Sequence, residues 1–189
     1  MLSNTWSPSS APSVILYVDG AILLVLAVMY MFRPGHSKLE GMIGLPPSKG
    51  TSADVVSMLF TIDGFSKFAV AILMILSPVG RVSSSLLLAF VIAHLGWAFL
   101  QFDQAIRFHA VLRQHAQPNI GCLQVMFAAA LFYYVLEGEG VWPSMLVGVV
   151  VCSVAAVVLC AAGLLTVYFS TRGVPGGEHI KGYADQLLE

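Results

Sequence analysis

The chain has 189 residues, of which 58% are hydrophobic and 10% are charged, and its formal net charge is −1. Soluble domains carry roughly 25% charged residues, so this composition indicates an integral membrane protein. There is no basic cluster that would bind nucleic acid, and the three cysteines lie inside apolar runs without the spacing of a metal site.

Five apolar runs are long enough to cross a bilayer as helices. A hydrocarbon core of about 30 Å needs about 20 helical residues at about 1.5 Å each. The runs predict an all-α fold, a polytopic transmembrane bundle of about five helices that forms a single membrane domain over residues 1–189. The predicted helices cover residues 14–32, 55–77, 85–106, 120–136 and 143–170.

The basic residues indicate how the bundle is oriented. Arg81 is the only basic residue on one side of the five-helix arrangement, and Lys67 lies inside the second run. The other side holds seven of the nine: Arg33, Lys38, Lys49, Arg107, Arg113, Arg172 and Lys181. By the positive-inside rule this predicts an outside or lumenal N-terminus and a cytosolic C-terminus. The expected membrane is the endoplasmic reticulum.

Polar side chains interrupt the apolar runs. Asp63 and Lys67 lie near the middle of the second run, four residues apart and therefore on one helical face. A charge at that depth costs about 2.5 to 3.5 kcal/mol, so such residues usually face a bundle interior. Counted from the outer helix ends, the remaining polar residues lie about 9 to 24 Å deep. They are Asp19 on the first helix, His94, Trp97 and Gln101 on the third, and Gln124 on the fourth.

One face of the third helix carries a polar stripe, formed by His94, Trp97 and Gln101. At 100° per residue these three fall within about 60° of one another. We expect the stripe to face Asp63 and Lys67, because each set alone would expose polar groups to lipid.

This set of residues predicts metal-free acid–base chemistry. The chain lacks HExxH, GxSxG, Walker and CxxC motifs, and His94 is the only histidine placed deep in a span, so neither a metal nor a cofactor is expected. A buried carboxyl group beside a histidine can protonate an oxygen or guide a water. The candidate catalytic residues are Asp63, His94 and Asp19, with Asp63 as the principal acid or base, and the residues expected to orient substrate or water are Lys67, Trp97, Gln101 and Gln124.

The arrangement resembles the small integral-membrane cyclases, isomerases and epoxide hydrolases of fungal secondary metabolism. The residues that carry the likeness are Asp19, Asp63 and His94, with aromatic walls expected from Trp97, Phe99 and Tyr134. The likeness is one of architecture, over residues 14–170. It implies a cofactor-free enzyme that opens, hydrolyses or cyclises a lipophilic substrate such as an epoxidised polyketide or terpenoid. Membrane terpene cyclases of this group have seven helices, so a smaller bundle fits an epoxidised polyketide better. A second likeness is to sterol-isomerase-type bundles.

Two other functions remain open at this point. A small transporter or proton-relay subunit would use the same buried residues as a relay. A non-catalytic assembly factor would use them to hold helices together. The expected partners are a lipophilic small molecule and membrane lipid, and the chain could form a homo-oligomer.

The sequence also contains a short internal echo. Val-Asp-Gly at residues 18–20 is matched by Ile-Asp-Gly at 62–64, and a proline follows fifteen residues after each aspartate, at Pro34 and Pro78. A duplication and a coincidence both explain this pattern.

Overall fold

The computed structural model describes residues 5–32, 51–107 and 116–172. Within them the chain forms five long helices, each long and apolar enough to cross a membrane. These are α1 (Ala11–Phe32), α2 (Thr51–Leu76), α3 (Ser84–Arg107), α4 (Ala116–Gly138) and α5 (Met145–Thr171). The predicted all-α transmembrane bundle is confirmed, and five such helices mark an integral membrane protein.

Local signals account for where the helices begin and end. Ser144 precedes α5 with extended backbone, and its side chain accepts a hydrogen bond from the backbone N–H of Val147 at 3.3 Å, as an N-cap residue does. After α4, Gly140 adopts a φ of 67°, which favours glycine, while its N–H donates to the carbonyl of Glu137 at 3.0 Å. These caps satisfy backbone groups that a helix end leaves unpaired.

A two-stranded ribbon closes one end of the bundle. Strand β1 (Thr5–Trp6) pairs antiparallel with β2 (Val82–Ser83), which directly precedes α3. Trp6 packs edge-on against Tyr134 of α4, with ring centroids 5.7 Å apart. Trp6 and Val82 belong to an apolar layer that also contains Leu16 and Leu87. We call this end of the molecule the ribbon end.

Helices α1 and α2 approach closely at two glycines. A Cβ on Gly20 would lie 3.1 Å from the carbonyl oxygen of Ala71, and a Cβ on Gly64 would lie 3.1 Å from that of Ala27. The two backbones therefore meet without intervening side chains, as small residues allow in membrane bundles.

The same two contacts relate the sequence echo to the structure. Gly20 also approaches Met74, and Gly64 also approaches Tyr30. Corresponding residues of the two contacts lie 44 positions apart in the sequence. The corresponding pairs are Gly20 and Gly64, Ala27 and Ala71, and Tyr30 and Met74. The two Asp-Gly units thus occupy equivalent places in an antiparallel helix pair.

One aromatic side chain packs where helices α3, α4 and α5 meet. The ring of Phe102 on α3 lies against Gly121 of α4 and Gly163 of α5, where an added Cβ would come within 3.1 and 2.5 Å of it. The ring occupies space that is free because both positions are glycine and lack a Cβ atom. Helix α5 otherwise presents apolar side chains outward, which suits a helix facing lipid.

Candidate functional site

Three helices bring a carboxyl group, an imidazole and a carboxamide together in the bundle interior. The Nε2 atom of His94 on α3 lies 2.6 Å from Oδ2 of Asp19 on α1. Its Nδ1 atom lies 2.5 Å from Oε1 of Gln124 on α4. All three side chains are buried, with exposed fractions of 0%, 1% and 1% for His94, Asp19 and Gln124. Three residues that sequence reasoning placed on separate helices are therefore in direct contact.

The contact with Gln124 favours one tautomer of His94. An amide oxygen only accepts hydrogen bonds, so Nδ1 of His94 carries a proton and donates it to Gln124. A neutral ring would then turn its Nε2 lone pair toward a carboxylate, which is repulsive. Nε2 lies 2.6 Å from Oδ2 of Asp19, near enough for a proton to pass between the two residues.

Both carboxylate oxygens of Asp19 and Nε2 of His94 are buried without a hydrogen-bond partner among the described residues. The contact between Nε2 and Oδ2 is close without being a well-aligned hydrogen bond. Most buried polar atoms of a stable fold are paired, so these atoms are candidates for binding a ligand or for a catalytic role.

The second ionic pair lies on α2. The ammonium of Lys67 contacts Oδ2 of Asp63, and the two side chains are 0% and 8% exposed. The same ammonium lies 5.3 Å from the ring centroids of Tyr30 and of Trp97, over their faces. Lys67 thus has a carboxylate and two aromatic rings as neighbours, which together replace the water that it lacks.

Trp97 joins the two pairs into one cluster. Its ring meets the ring of His94 edge-on at 5.6 Å and supports the ammonium of Lys67 on α2. We call Asp19, His94, Trp97, Lys67 and Asp63 the polar core. The prediction that the stripe on α3 faces α2 holds at Trp97, whereas the partner of His94 is Asp19 of α1 rather than Asp63.

Gln101, the third member of the stripe, differs from His94 and Trp97 in its contacts. Its side chain is fully buried, and neither Nε2 nor Oε1 of the carboxamide finds a hydrogen-bond partner among the described residues.

The expected aromatic walls are correct only in part. Phe99 is 70% exposed on the outer surface of α3, so its predicted place in the wall of the site is wrong. Because Phe99 follows Trp97 by two residues, it is rotated by about 200° around the helix and faces away from the core. Tyr134 is partly buried beneath Trp6 and packs near the ribbon end.

Comparison of the chain with protein-family models, with curated proteins and with solved structures finds no match. What the chain does must therefore be inferred from its polar core. Within residues 5–32, 51–107 and 116–172, no group of three His, Cys, Asp or Glu side chains could hold a metal ion. The described interior offers acid–base groups instead.

Sequence reasoning missed two aromatic neighbours of the core. Tyr30 contacts Lys67 and is fully buried on α1, eleven residues after Asp19. Eleven residues amount to three turns, so Tyr30 shares the face of Asp19 to within about 20° and could have been found by that rule. Phe127 of α4 stacks on His94 with ring centroids 5.9 Å apart. It lies almost one turn beyond Gln124 and carries no polar atom that would have marked it.

Proposed function

We propose that the protein is a cofactor-free membrane enzyme in which Asp19 and His94 transfer protons to and from a lipophilic substrate, and that this substrate is an epoxide. The observation that carries the proposal is the buried Asp19–His94 contact at 2.6 Å, with the other ring nitrogen held by Gln124. A histidine whose proton position is fixed by one neighbour and whose second nitrogen meets a carboxyl group is a usual design for proton transfer.

The reaction can be written with every proton placed. Nε2–H of His94 protonates the epoxide oxygen while the carbon–oxygen bond breaks and a water oxygen bonds to that carbon. The water gives one proton to the carboxylate of Asp19, whose Oδ1 has no partner among the described residues. The product is a diol, and the pair again holds one proton, so the net reaction is the addition of water to the epoxide.

We propose a different role for Asp63 from the one that the sequence predicts. Its carboxylate contacts the ammonium of Lys67, so we assign it to holding Lys67 rather than to reacting with substrate. The ammonium of Lys67 lies against Trp97, next to His94, where positive charge favours the negative charge that develops on the opening oxygen. We propose that Lys67 and Trp97 position the substrate and stabilise the charge on its opening oxygen, and that Gln124 orients His94.

The remaining proposals concern location and partners. The excess of Lys and Arg on one side supports an outside or lumenal N-terminus and a cytosolic C-terminus. We place the protein in the endoplasmic reticulum, with its substrate arriving from the bilayer, and self-association into a homo-oligomer is compatible with the apolar surface of α5.

Turnover of a simple lipophilic epoxide tests the enzyme proposal. Purified protein in lipid nanodiscs is incubated with a terminal epoxide on a decyl chain, and diol is measured by chromatography. Asp19→Asn and His94→Gln should each lower turnover by about 10² to 10⁴-fold. Asp103→Asn is the matched control, because Asp103 lies on α3 in a partly exposed ion pair with Arg107. Wild-type protein that forms no diol from this or any other lipophilic epoxide, or variants that turn over normally, would contradict the proposal.

A proton-linked transporter is the second candidate, and the equivalent Asp-Gly units favour it. Many transporters are built from inverted repeats, and many proton relays use intramembrane carboxylates; α1 and α2 place Asp19 and Asp63 in equivalent positions of an antiparallel pair. Protein in liposomes that contain a pH-sensitive dye distinguishes the two functions. Proton flux that depends on Asp19 and Asp63, without diol formation, would favour transport.

A further inference from the structure

Gln101 is a buried polar side chain that the proposed reaction does not use. It is fully enclosed, yet both polar atoms of its carboxamide lack a hydrogen-bond partner among the described residues. Most buried side-chain polar atoms in folded proteins are paired, because leaving a donor and an acceptor unpaired is unfavourable. A group that both accepts from Nε2–H and donates to Oε1 would satisfy this carboxamide.

The spacing of Gln101 and His94 on α3 gives the distance between the two polar groups along the helix. The two residues are seven apart on α3, which is two helical turns and about 10.5 Å along the axis. Seven residues return to the same face within about 20°, so both side chains project into the same side of the bundle. Trp97 lies between them on that face and is 6% exposed.

We propose that Gln101 anchors an uncharged hydroxyl group of the substrate, about 10 Å from the oxygen that reacts at Asp19 and His94. The substrate class is then a lipophile with two oxygen functions, an epoxide at one end and a hydroxyl at the other, joined by an apolar chain that runs along Trp97. A hydroxyl group donates one hydrogen bond and accepts others, so it complements both atoms of the carboxamide. A charged group is disfavoured there, because burying a charge without an opposite partner is costly. This inference rests on the proposed function for the identity of the reacting end.

Two matched probes test the anchor separately from the reaction. One probe is a decyl chain with a terminal epoxide and a hydroxyl group at its other end, and the second is the same chain without the hydroxyl group. Equilibrium dialysis of each radiolabelled probe against the protein in nanodiscs gives binding, and chromatography of the diol gives turnover.

Wild-type protein should bind the hydroxylated probe about tenfold more tightly than its partner, which is the size expected when a buried carboxamide gains its hydrogen bonds. Gln101→Leu should remove this preference, so that both probes bind equally. Gln101→Met is a second variant, because methionine is unbranched like glutamine. It provides the same test if the leucine variant does not fold. Thr166→Val, an exposed position on α5, should keep the preference.

The outcomes separate this inference from the proposed function. A tenfold preference that disappears in the Gln101 variants supports the anchor even if neither probe is turned over. Equal binding of the two probes by wild-type protein, or a preference that survives in both Gln101 variants, overturns it even if diol is formed. Failure of the hydroxylated probe to bind at all also overturns it.

Discussion

The Asp63–Lys67 pair is expected to be strongly coupled, and a double-mutant cycle measures this coupling. Asp63→Asn leaves the ammonium of Lys67 without its carboxylate in a place where the side chain is 0% exposed. Breaking a buried ion pair by removing one partner usually costs about 3–5 kcal/mol. The two aromatic rings and the asparagine amide oxygen stay close to the ammonium, so the loss should fall in the lower part of that range. We therefore expect the free energy of unfolding to fall by about 3–4 kcal/mol.

The other corners of the cycle complete the prediction. Lys67→Met should also destabilise, because it leaves the carboxylate of Asp63 buried without its partner. The double variant Asp63→Asn with Lys67→Met removes both charges, so it should be more stable than the sum of the single changes implies by about 2 kcal/mol or more. The assay is reversible unfolding in mixed micelles, in which the fraction of denaturing detergent is raised.

A control pair sharpens the result. Asp103 and Arg107 form an ion pair of the same spacing on α3, but their side chains are 31% and 59% exposed. The same cycle on this pair should give a coupling of at most about 1 kcal/mol. If the Asp63–Lys67 cycle is additive to within about 0.5 kcal/mol, the claim that these two charges depend on each other is wrong.

Two further predictions concern packing and topology. Gly64→Ala should lower the free energy of unfolding by about 1–3 kcal/mol, because its Cβ would stand 2.9 Å from Cβ of Tyr30. Gly96→Ala is the matched control: nothing lies within 4 Å of an added Cβ there, so the change should be neutral or stabilise by up to about 1 kcal/mol in the same assay. Since the described helices provide five spans, glycosylation tags at the two termini should report opposite sides of the membrane, and tags on the same side would exclude that count.

The five helices could be predicted because few backbone structures can span a bilayer. A spanning segment must pair its backbone groups internally, so a long apolar run that crosses as a single segment does so as a helix. Depth followed from the rise per residue, and the shared face of His94, Trp97 and Gln101 followed from the helical period. All three are buried, which agrees with that prediction. The same period places Phe99, two residues after Trp97, on the opposite face, where the structure shows it exposed.

The partner of His94 could not be predicted from these rules. Periodicity tells which face of a helix is polar, but it does not tell which other helix covers that face. The glycine contacts set α2 against α1, and it is Asp19 of α1 that reaches His94. The sequence favours Asp63 as the catalytic residue, because it lies near the middle of its span with Lys67 on the same face. Which carboxylate meets the histidine is decided by packing between helices, which sequence spacing does not encode.

The contact between Asp19 and His94 is the centre of the proposed mechanism, and solid-state NMR of the protein in bilayers measures it directly. With isotopes in the aspartate carboxyl carbons and the histidine ring nitrogens, the account predicts a strong dipolar coupling between the Asp19 carboxyl and Nε2 of His94, lost in Asp19→Asn. It also predicts a proton on Nδ1 of His94, bonded to Gln124. A ring with no proton on Nδ1, or no coupling between Asp19 and His94 in the wild-type protein, would contradict it.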